Sequence, residues 1–538
     1  MGERRLSKRI SGELHEESGM DEPVGQDRGG IAAVIFDMDG VVTDTAEAHF
    51  AAWKQVFDEV LRACGDDAAF TREDYLAHVD GIPRHDGVRA FLRSRGIGMP
   101  EGEEGDEGLE SVRGIGNRKN RYFHDWLEEN RVPVFDDAVA LIDGLKKAGI
   151  GVGVFSASRN APRVLESAGI AQLFGATVSG ADAQDLDLSP KPAPDQLEEA
   201  ARRLGCTPAE AAVIEDAVAG VQAGAAGRFG LVIGVDRQED SGQHRHALRS
   251  NGADLVTRDL RRLCLPEAGG LRTLDRLPLV WDRLDDVRDR LGSRPLSVFL
   301  DYDGTLSAIV ADYRDATIPE DTSSAVARLA QRCPVAVISG RDLADVRARV
   351  GLDGVIYAGS HGFDIAGPDG LEERPEEAEG FLRPIEQAAS DLREALSGIE
   401  GADVERKTFS VAVHYRRAAE TAVSAIEDAV DRIVGRHEAL RKGRGKKVFE
   451  IQPRADWDKG RAVAWLLAHT RLGEGDALPI YLGDDLTDED AFSALGGAGL
   501  CIAVRGDRRA TLADYALADP QDVRRFVDWL AGPDMGER

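Results

Sequence analysis

Short runs of apolar residues, each ending in charged residues or glycine, recur along the chain and alternate with segments of helical periodicity. Runs of this kind are typical of buried strands. The first half contains four of them: IAAVIF, IGVGVFSAS, AAVIED and GLVIGV. The second half contains five: LSVFL, PVAVISG, VIYAG, LPIYLGDD and GLCIAV. The alternation predicts a parallel α/β architecture, in which helices cover a sheet of buried strands.

Two of these runs are followed by the same arrangement of residues. IAAVIF leads into DMDGVV at 37–42, and LSVFL leads into DYDGTL at 301–306. The two motifs lie 264 residues apart, which is close to half of the 538-residue chain. This distance is far longer than the period of a solenoid repeat, so it predicts two related domains in tandem.

Composition divides the chain further. Residues 1–30 show no hydrophobic periodicity, which predicts a disordered tail. Residues 264–295 combine several prolines and glycines with a short helical patch, which indicates a linker. The predicted domains therefore span 31–263 and 296–532.

The net charge narrows the possible partners. With 67 Lys and Arg against 96 Asp and Glu, the formal charge is −29, which opposes nucleic acid or an anionic membrane as the main partner. A few local cations can still bind a small anionic substrate. No apolar run approaches the ~18 residues of a membrane span, and the N-terminal residues lack the apolar core of a signal peptide. Five widely spaced cysteines fit neither a disulfide framework nor a zinc site, so we expect a cytoplasmic protein.

The second Asp-x-Asp-Gly motif places Asp301 and Asp303 at the carboxyl end of a predicted strand. Parallel α/β proteins bind ligands at this end of the sheet, and two carboxylates two residues apart on an extended segment can face the same side. Such a pair suits Mg²⁺, and one member can attack phosphorus while the other exchanges a proton with the leaving oxygen. Further groups that suit phosphoryl transfer are Ser339, Gly340, Arg341, Lys459, Asp484 and Asp485.

The first half carries the same groups in the same order: Asp37, Asp39, Ser156, Lys191, Glu215 and Asp216. One Asp-x-Asp-Gly motif is common by chance, but two complete sets in one chain are not. The order resembles the four motifs of the haloacid dehalogenase-like phosphotransferases. The resemblance implies two tandem Rossmann-like cores that each bind Mg²⁺ through acidic residues of the motifs. These would be Asp37, Asp39, Glu215 and Asp216 in the first core, and Asp301, Asp303 and Asp484 in the second.

The intervals between these groups differ between the halves. In the first half 117 residues separate Asp39 from Ser156, whereas in the second only 36 separate Asp303 from Ser339. In the second half the long interval comes later in the chain, where 120 residues separate Ser339 from Lys459. Residues inserted between core elements predict a cap that covers the site and excludes water. The predicted caps lie at about 45–132 and about 366–455.

The pattern inside each insertion indicates the type of cap. Apolar side chains recur at helical spacing in 46–64, which predicts a helical first cap: Phe50, Trp53, Phe57, Val60, Leu61 and Cys64. In the second insertion FSVAVHYR alternates like a strand, and 418–435 has helical spacing, so the second cap is predicted to be α+β.

The second half resembles trehalose-6-phosphate phosphatases over about 296–530. The matching segments are DYDGTL, SGR, GSHGFDI at 359–365, VERKTFSVAVHYR at 404–416, GKKVFEIQP at 445–453, DKG and GDDLTDEDAF at 483–492. The resemblance implies that Asp301 is the nucleophile, Asp303 the acid and base, and Asp484 a magnesium ligand. The cap residues at sugar-binding positions are Glu405, Lys407, Arg416, Lys446 and Glu450.

Several of these side chains also have a structural interpretation. Glu405 and Lys407 by themselves would indicate a charge pair on an exposed strand face, and only the surrounding motif favours sugar binding. The other residues with a structural alternative are His361 and His414, interpreted as packed or hydrogen-bonded rings, and Arg341 and Asp488, interpreted as ion pairs around the site.

The first half resembles β-phosphoglucomutase over about 31–260. The matching segments are FDMDGVVTDTAEAHFAAWK at 36–54, GIPRHDGV at 81–88, NRKNRYF at 117–123, FSASRN at 155–160, KPAPD at 191–195 and IEDAVAGVQAG at 214–224. The resemblance implies that Asp37 is the phosphorylated nucleophile and Asp39 the acid and base. Residues at substrate or phosphate positions are His49, Arg84, Lys119, Ser156, Ala157, Ser158, Asn160 and Lys191. Arg159 stands where the family often has Lys, which keeps the charge but changes its geometry.

The sequence leaves the reaction of the first domain open. Simple phosphatases share this core and much of this cap, and closure decides whether water or a second sugar hydroxyl accepts the phosphoryl group. A support domain without catalysis is a third interpretation. The intact Asp37, Asp39, Lys191 and Asp216 oppose it, because an idle domain has no reason to keep buried, mutually repelling carboxylates.

Two hypotheses for the whole chain follow. The first is Mg²⁺-dependent hydrolysis of trehalose 6-phosphate in trehalose biosynthesis, with a first domain that interconverts β-glucose 1-phosphate and glucose 6-phosphate. The second is a phosphatase for another sugar phosphate, with the first domain as a phosphosugar-binding regulator. Both imply small phosphosugars as partners, and neither involves nucleic acid or a membrane. The sequence does not indicate the oligomeric state.

Overall fold

The structure is a computed structural model. It describes residues 30–79, 84–238, 242–265, 269–310, 312–375, 378–445, 447–455, 457–506 and 508–532. The predicted tail therefore lies outside the described residues, apart from Gly30.

The first half is built on a six-stranded parallel sheet. Its strands are β1 (Ala33–Asp37), β2 (Gly151–Phe155), β3 (Ala176–Val178), β4 (Ala211–Glu215), β5 (Leu231–Val235) and β6 (Leu255–Thr257). They are arranged in the order β3-β2-β1-β4-β5-β6. Every residue of β1, β4 and β5 is buried, as expected for strands covered on both faces.

Within its described residues, this half has ten α-helices around the sheet. Four of them lie between β1 and the rest of the core and form the first cap: α1 (Ala46–Ala63), α2 (Arg72–His78), α3 (Arg84–Ser94) and α4 (Val112–Glu129). The other six are α5 (Asp136–Lys147), α6 (Ala161–Ala168), α7 (Gly180–Asp185), α8 (Asp195–Leu204), α9 (Val218–Ala226) and α10 (Gly242–Ser250). Helix α1 buries the apolar face that its sequence spacing predicts, including Trp53, Phe57 and Val60.

The second half contains two sheets. Its strands are β7 (Leu296–Asp301), β8 (Val335–Ile338), β9 (Ile356–Gly359), β10 (Asp364–Ala366), β11 (Glu372–Glu373), β12 (Asp403–Arg406), β13 (Val411–His414), β14 (Leu440–Gly445), β15 (Val448–Pro453), β16 (Leu478–Gly483), β17 (Leu500–Val504) and β18 (Tyr515–Leu517). The core sheet has the order β11-β10-β9-β8-β7-β16-β17-β18, and only its β9–β10 and β10–β11 pairs are antiparallel. The cap sheet is antiparallel, in the order β12-β13-β15-β14.

The helices of the second half are α11 (Leu284–Leu291), α12 (Glu320–Ala330), α13 (Leu343–Val350), α14 (Ala378–Leu396), α15 (Val423–Val434), α16 (Lys459–His469), α17 (Asp488–Leu495) and α18 (Pro520–Ala531). Helices α14 and α15 pack on the cap sheet, so this cap is α+β. The predicted fold class, two tandem Rossmann-like cores with different caps, is confirmed.

The segment predicted as a linker is packed between the two cores. Leu271, Leu274 and Leu277 are at most 2% exposed and belong to one apolar cluster with strand residues of both halves. The Leu274 amide also donates a hydrogen bond to the Arg509 carbonyl, at 2.9 Å. The connection is therefore part of a continuous core, and the described residues from Ile31 onward belong to one compact unit.

Two further observations concern the cysteines and the length of the apolar helices. All five cysteines lie in the described residues, and none of them forms a disulfide. Within the described part of the chain, no helix combines the length and the apolar character that a bilayer crossing needs.

Candidate active sites

The second site is centred on a buried lysine between two aspartates. Asp301 ends β7, and Lys459 begins α16. The Lys459 Nζ donates hydrogen bonds of 2.7 Å to Asp301 Oδ1 and to Asp488 Oδ1, and Tyr481 donates its hydroxyl to the same Asp488 oxygen at 2.8 Å. Burial raises the pKa of Asp301 well above its usual value, against the opposing effect of Lys459. Burial alone would lower the pKa of Lys459, but Asp301 and Asp488 raise it well above its usual value.

Three buried carboxylates of this site could hold a metal ion. One oxygen each from Asp301, Asp484 and Asp488 lies within 4.8 Å of the others. Gly304 leaves space for this cluster, because a Cβ on it would overlap the Asp484 carboxylate. Carboxylate oxygens are the hard donors that Mg²⁺ prefers, so these residues fit that ion.

The carboxylate of Asp303 lies outside this cluster, and its role as a metal ligand stays a prediction. Arg341 holds it in a two-fold hydrogen bond, from Nε to Oδ2 at 2.7 Å and from Nη2 to Oδ1 at 2.6 Å. The expectation assumed an extended segment, but β7 ends at Asp301 and the chain turns at Gly304, which has φ +86°. Asp303 still lines the cavity described below.

The Ser339-Gly340-Arg341 segment follows β8. The Ser339 hydroxyl is buried and accepts a hydrogen bond from the Arg341 amide at 3.1 Å. The Arg341 guanidinium also donates to Asp345 and to the Tyr313 carbonyl, in addition to Asp303. Arg341 therefore forms ion pairs around the site, as its structural interpretation predicts. Gly340 and Arg341 also line the cavity.

A cavity of about 200 Å³ lies between the core and the second cap. Core residues on its wall include Asp301, Asp303, Lys459 and Asp484. Four of the five predicted sugar-binding residues line it from the cap: Glu405, Lys407, Arg416 and Glu450. The fifth, Lys446, lies outside the described residues. The structure thus brings the predicted chemical groups and the predicted sugar-binding groups to one cavity.

Hydrogen bonds connect this cap to the core. The Lys407 Nζ donates to the Gly340 carbonyl at 2.9 Å and to Glu450 Oε1 at 3.1 Å, and His361 Nε2 lies 2.6 Å from Glu450 Oε2. Burial alone would raise the pKa of Glu450, but His361 and Lys407 hold it well below its usual value. The interpretation of His361 as a hydrogen-bonded ring is confirmed, and His361 also lines the cavity.

His414 is a packed and hydrogen-bonded ring, as interpreted from the sequence, but sequence reasoning did not place it or Tyr313 on the wall of the cavity. The rings of Tyr313 and His414 stack with centroids 4.3 Å apart, and His414 Nε2 lies 2.8 Å from Glu405 Oε2. A signal for His414 was available, because side chains two residues apart on a strand share a face. Arg416 lies two residues after His414 and lines the same cavity. Tyr313 begins a single 3₁₀ turn (Tyr313–Asp315), which has no such two-residue period.

The first site repeats the lysine arrangement. The Lys191 Nζ donates to Asp37 Oδ1 at 2.6 Å and forms a second ion pair with the fully buried Glu215. Asp37, Glu215 and Asp216 form a cluster that could hold a metal ion, with ligand atoms within 4.8 Å. Burial, and then Glu215, raise the pKa of Asp216 to about 8. These three carboxylates fit Mg²⁺ for the same reason as those of the second site.

The carboxylate of Asp39 lies outside this cluster, and its role as a metal ligand also stays a prediction. Its side chain accepts hydrogen bonds from the hydroxyls of Thr45 and of Ser156, the latter at 3.3 Å. Burial raises its pKa. The chain turns after β1 at Gly40, which has φ +82°, as it does after β7.

The first cap contributes a pair of basic residues, the buried Lys119 and the partly buried His49. Lys119 Nζ lies 2.7 Å from His49 Nδ1, and the His49 ring stacks on Phe123 with centroids 4.4 Å apart. Burial, and then Arg84, lower the pKa of Lys119 to about 7. Burial also lowers the pKa of His49. The predicted substrate residues His49, Arg84 and Lys119 are thus grouped on the cap.

The loop after β2 connects the core to this cap. The Ser156 and Ser158 hydroxyls accept hydrogen bonds of 3.1 Å from the amides of Ser158 and Asn160. The Asn160 amide group donates to Asn120 Oδ1 on α4 at 2.8 Å, and its oxygen lies 2.8 Å from His124 Nε2. Asn160 thus joins the core to the cap, whereas Ala157 is exposed.

Models of two families match the two halves. Residues 299–521 match the trehalose-phosphatase family, and residues 31–228 match the haloacid dehalogenase-like hydrolases. Among solved structures, the C-terminal domain of a Candida albicans trehalose-6-phosphate phosphatase is 25% identical, covering 48% of this chain and 98% of that one with a TM-score of 0.43. A β-phosphoglucomutase from Clostridium difficile is 26% identical, covering 43% of this chain and 93% of that one with a TM-score of 0.34.

Curated relatives extend over most of the chain. An uncharacterized glycosyl hydrolase of Mycobacterium tuberculosis is 39% identical over 93% of this chain, which spans only 38% of the length of that protein. A trehalose-phosphate phosphatase of Mycobacterium leprae is 40% identical over 407 residues, which are 74% of this chain and 92% of that protein. One from Mycobacterium tuberculosis is 45% identical over 337 residues, 62% of this chain and 84% of that protein. On these matches, the chain belongs to the trehalose-phosphate phosphatase family, within the haloacid dehalogenase-like hydrolases.

Proposed function

We propose that the second half hydrolyses trehalose 6-phosphate to trehalose and phosphate through a phosphorylated Asp301. The observation that carries this proposal is the single cavity between the core and the second cap. Asp301, which is hydrogen-bonded to Lys459, lines this cavity from the core. The cap residues Glu405, Lys407 and Arg416 line it from the other side. Carboxylates accept hydrogen bonds from sugar hydroxyls, and cations donate to hydroxyls or phosphate, so the two sides suit the two parts of a phosphosugar.

The proposed reaction has two steps. An Asp301 carboxylate oxygen attacks phosphorus, and the sugar oxygen leaves with a proton from Asp303. Asp303 then takes a proton from a water molecule, whose oxygen attacks the phosphorus, so that phosphate is released and Asp301 is restored. Lys459 neutralises charge on Asp301, and Arg341 holds the Asp303 carboxylate in place. Mg²⁺, bound through Asp301 and Asp484, would neutralise charge on the phosphoryl group.

The first half is proposed to interconvert β-glucose 1-phosphate and glucose 6-phosphate. The support for this comes from cap closure, because transfer to a second sugar hydroxyl requires that water be excluded. Asn160 of the core contacts Asn120 and His124 of the cap, and Lys119 is only 5% exposed. Asp37 would be the nucleophile and Asp39 the acid and base.

The test is phosphate release from trehalose 6-phosphate by the intact protein, with and without Mg²⁺. Asp301→Asn should abolish release, and Asp37→Asn, the matched change in the first half, should leave it intact. Conversion of β-glucose 1-phosphate to glucose 6-phosphate should have the opposite dependence on the two variants. Preference for another ester in a panel of sugar phosphates would support the alternative substrate. A hexose phosphate that changes the phosphatase rate equally in the intact protein and in Asp37→Asn would instead support a regulatory first half.

A further inference from the structure

Helix α10 of the first half contacts the acidic loops of both sites. Near its start, His244 Nε2 donates a hydrogen bond to the Asp216 carbonyl at 2.9 Å; a carbonyl only accepts, so this nitrogen carries the proton. Near its end, Arg249 Nη1 donates to the Leu486 carbonyl at 3.0 Å, and Arg249 Nη2 lies 3.1 Å from Asp490 Oδ1. One helix of nine residues therefore supports a loop in each half.

The loop that Arg249 contacts belongs to the second active site. It connects β16 to α17, so it begins with Asp484 of the acidic cluster and leads into Asp488. Two guanidinium groups hold its backbone. Arg509 of the second half donates to the Asp484 carbonyl at 3.0 Å, and Arg249 of the first half donates to the Leu486 carbonyl. The position of the loop thus depends on both halves of the chain.

A second contact of α10 points to the same site. Arg245 Nη1 lies 4.0 Å from Oδ2 of Asp458, which is the N-cap of α16. The other Asp458 oxygen accepts a hydrogen bond from the Arg461 amide at 2.8 Å, and the next residue is Lys459. Helix α10 is therefore in contact with the first turns of both helices that carry buried charges of the second site.

We propose that Arg249 is a positioning residue for the second catalytic site, supplied by the first half. The inference rests on the proposed phosphatase function. Arg249 donates one hydrogen bond, to the Leu486 carbonyl, and its charge also forms an ion pair with Asp490. Without it, the Leu486 carbonyl and Asp490 lose their contact across the interface, and the loop that carries Asp484 is free to shift. A shift of about 1 Å in such a loop can cost on the order of 100-fold in rate.

The test compares two arginines that make the same kind of bond across the interface. Arg262 donates to the carbonyls of Phe492 and Leu512, both at 3.0 Å, and neither carbonyl lies in the loop between β16 and α17. Arg249→Met and Arg262→Met should lower the unfolding temperature to a similar extent. Only Arg249→Met should lower kcat for trehalose 6-phosphate, by roughly tenfold or more, with little change in KM because the cap binds the sugar. Arg249→Lys should recover part of the lost kcat.

Calorimetric titration with Mg²⁺ alone gives a readout that does not need turnover. In an Asp37→Asn background, which removes one carboxylate of the first cluster, Arg249→Met should bind Mg²⁺ several-fold more weakly than Arg262→Met. If the intact protein releases no phosphate from trehalose 6-phosphate, the proposed function fails, and the titration still tests Arg249. Equal losses in the two methionine variants, or unchanged kcat and Mg²⁺ affinity in Arg249→Met, would overturn the proposal.

Discussion

Glu215 and Asp488 each form an ion pair with the lysine of their own site, but they occupy different positions in the chain. In each half a five-residue interval leads from the end of a core strand into the next helix; Glu215 lies at its beginning and Asp488 at its end. Glu215 is the last residue of β4 and forms an ion pair with Lys191. Asp488 is the first residue of α17 and binds Lys459 at 2.7 Å. The strand supplies the carboxylate in the first half, and the helix that follows the equivalent strand supplies it in the second.

In each half, a glycine occupies the end of this interval at which the other half has its carboxylate. Five residues after Glu215 comes Gly220, where a Cβ would overlap the Glu215 carboxylate. Five residues before Asp488 comes Gly483, where a Cβ would overlap the Asp488 carboxylate. The space beside the lysine therefore accommodates one carboxylate, from either end of the interval.

Moving the carboxylate of the second site to the strand should preserve the lysine contact. Asp488→Gly alone leaves Lys459 short of one partner, and Gly483→Glu alone puts two carboxylates in the space of one. Losing one member of a buried charge pair costs about 3–5 kcal/mol, so Asp488→Gly should unfold at a lower temperature. Gly483→Glu should also unfold at a lower temperature, because two buried carboxylates repel each other, and both single variants should lose phosphatase activity. The double variant should recover part of both. Thermal unfolding and phosphate release form a double-mutant cycle, and a double variant no better than the worse single would contradict the assignment.

Replacing Gly304 is expected to lower activity by more than the strain of its left-handed backbone conformation alone would cause. It has φ +86°, and a Cβ on it would overlap the Asp484 carboxylate; Gly354 has φ +82° and open space around it. Alanine at either position meets the left-handed penalty of about 1–2 kcal/mol. Only Gly304→Ala should also displace Asp484 and lower kcat, by roughly 100-fold. The measurements are kcat and the unfolding temperature, and similar kcat values in the two variants would count against this role.

The core strands and the order of catalytic groups could be predicted because both depend on local sequence. A strand buried on both faces needs a continuous apolar run, and Asp37 and Asp301 directly end such runs in β1 and β7. Lys459 was predicted from its place in the motif order, and the structure places it beside Asp301. These features need no knowledge of distant contacts.

Other features depended on tertiary contacts that the local pattern does not contain. Asp303 was expected to face the same side as Asp301 from the period of a strand, but the chain turns at Gly304 and Arg341 holds the Asp303 carboxylate. Residues 264–295 have the prolines and glycines of a linker, yet Leu271 and Leu274 are buried between the two cores. Arg249 gives no local signal either, because its partners lie 237 residues or more away in sequence.

Lys407→Met is expected to impair the reaction of phosphosugars selectively. Lys407 donates to the Gly340 carbonyl and to Glu450 in the cavity, and a hydrogen bond from a charged group contributes about 1.5–3 kcal/mol. The variant should lose about 10- to 100-fold in kcat/KM for trehalose 6-phosphate and much less for a phosphate ester without a sugar. Lys442→Met is the matched control, since Lys442 in the same cap pairs with Glu427 and Asp431. Equal losses on both esters would argue against a sugar contact.

Lys119 should make the stability of the protein depend on pH in the alkaline range. Burial, and then Arg84, lower its pKa to about 7 from an unfolded value near 10.5, so between these values the unfolded chain binds more protons than the folded one. Stability then rises with pH across this window, because the charged form that burial disfavours is progressively lost.

The unfolding temperature of the intact protein minus that of Lys119→Met should be constant from pH 5 to about 6, increase between about pH 7 and 10, and level off above it. Lys147→Met, which removes an exposed lysine of α5 in the same half, should show no such trend. A difference for Lys119→Met that stays flat or falls over this range would contradict a buried, weakly protonated Lys119.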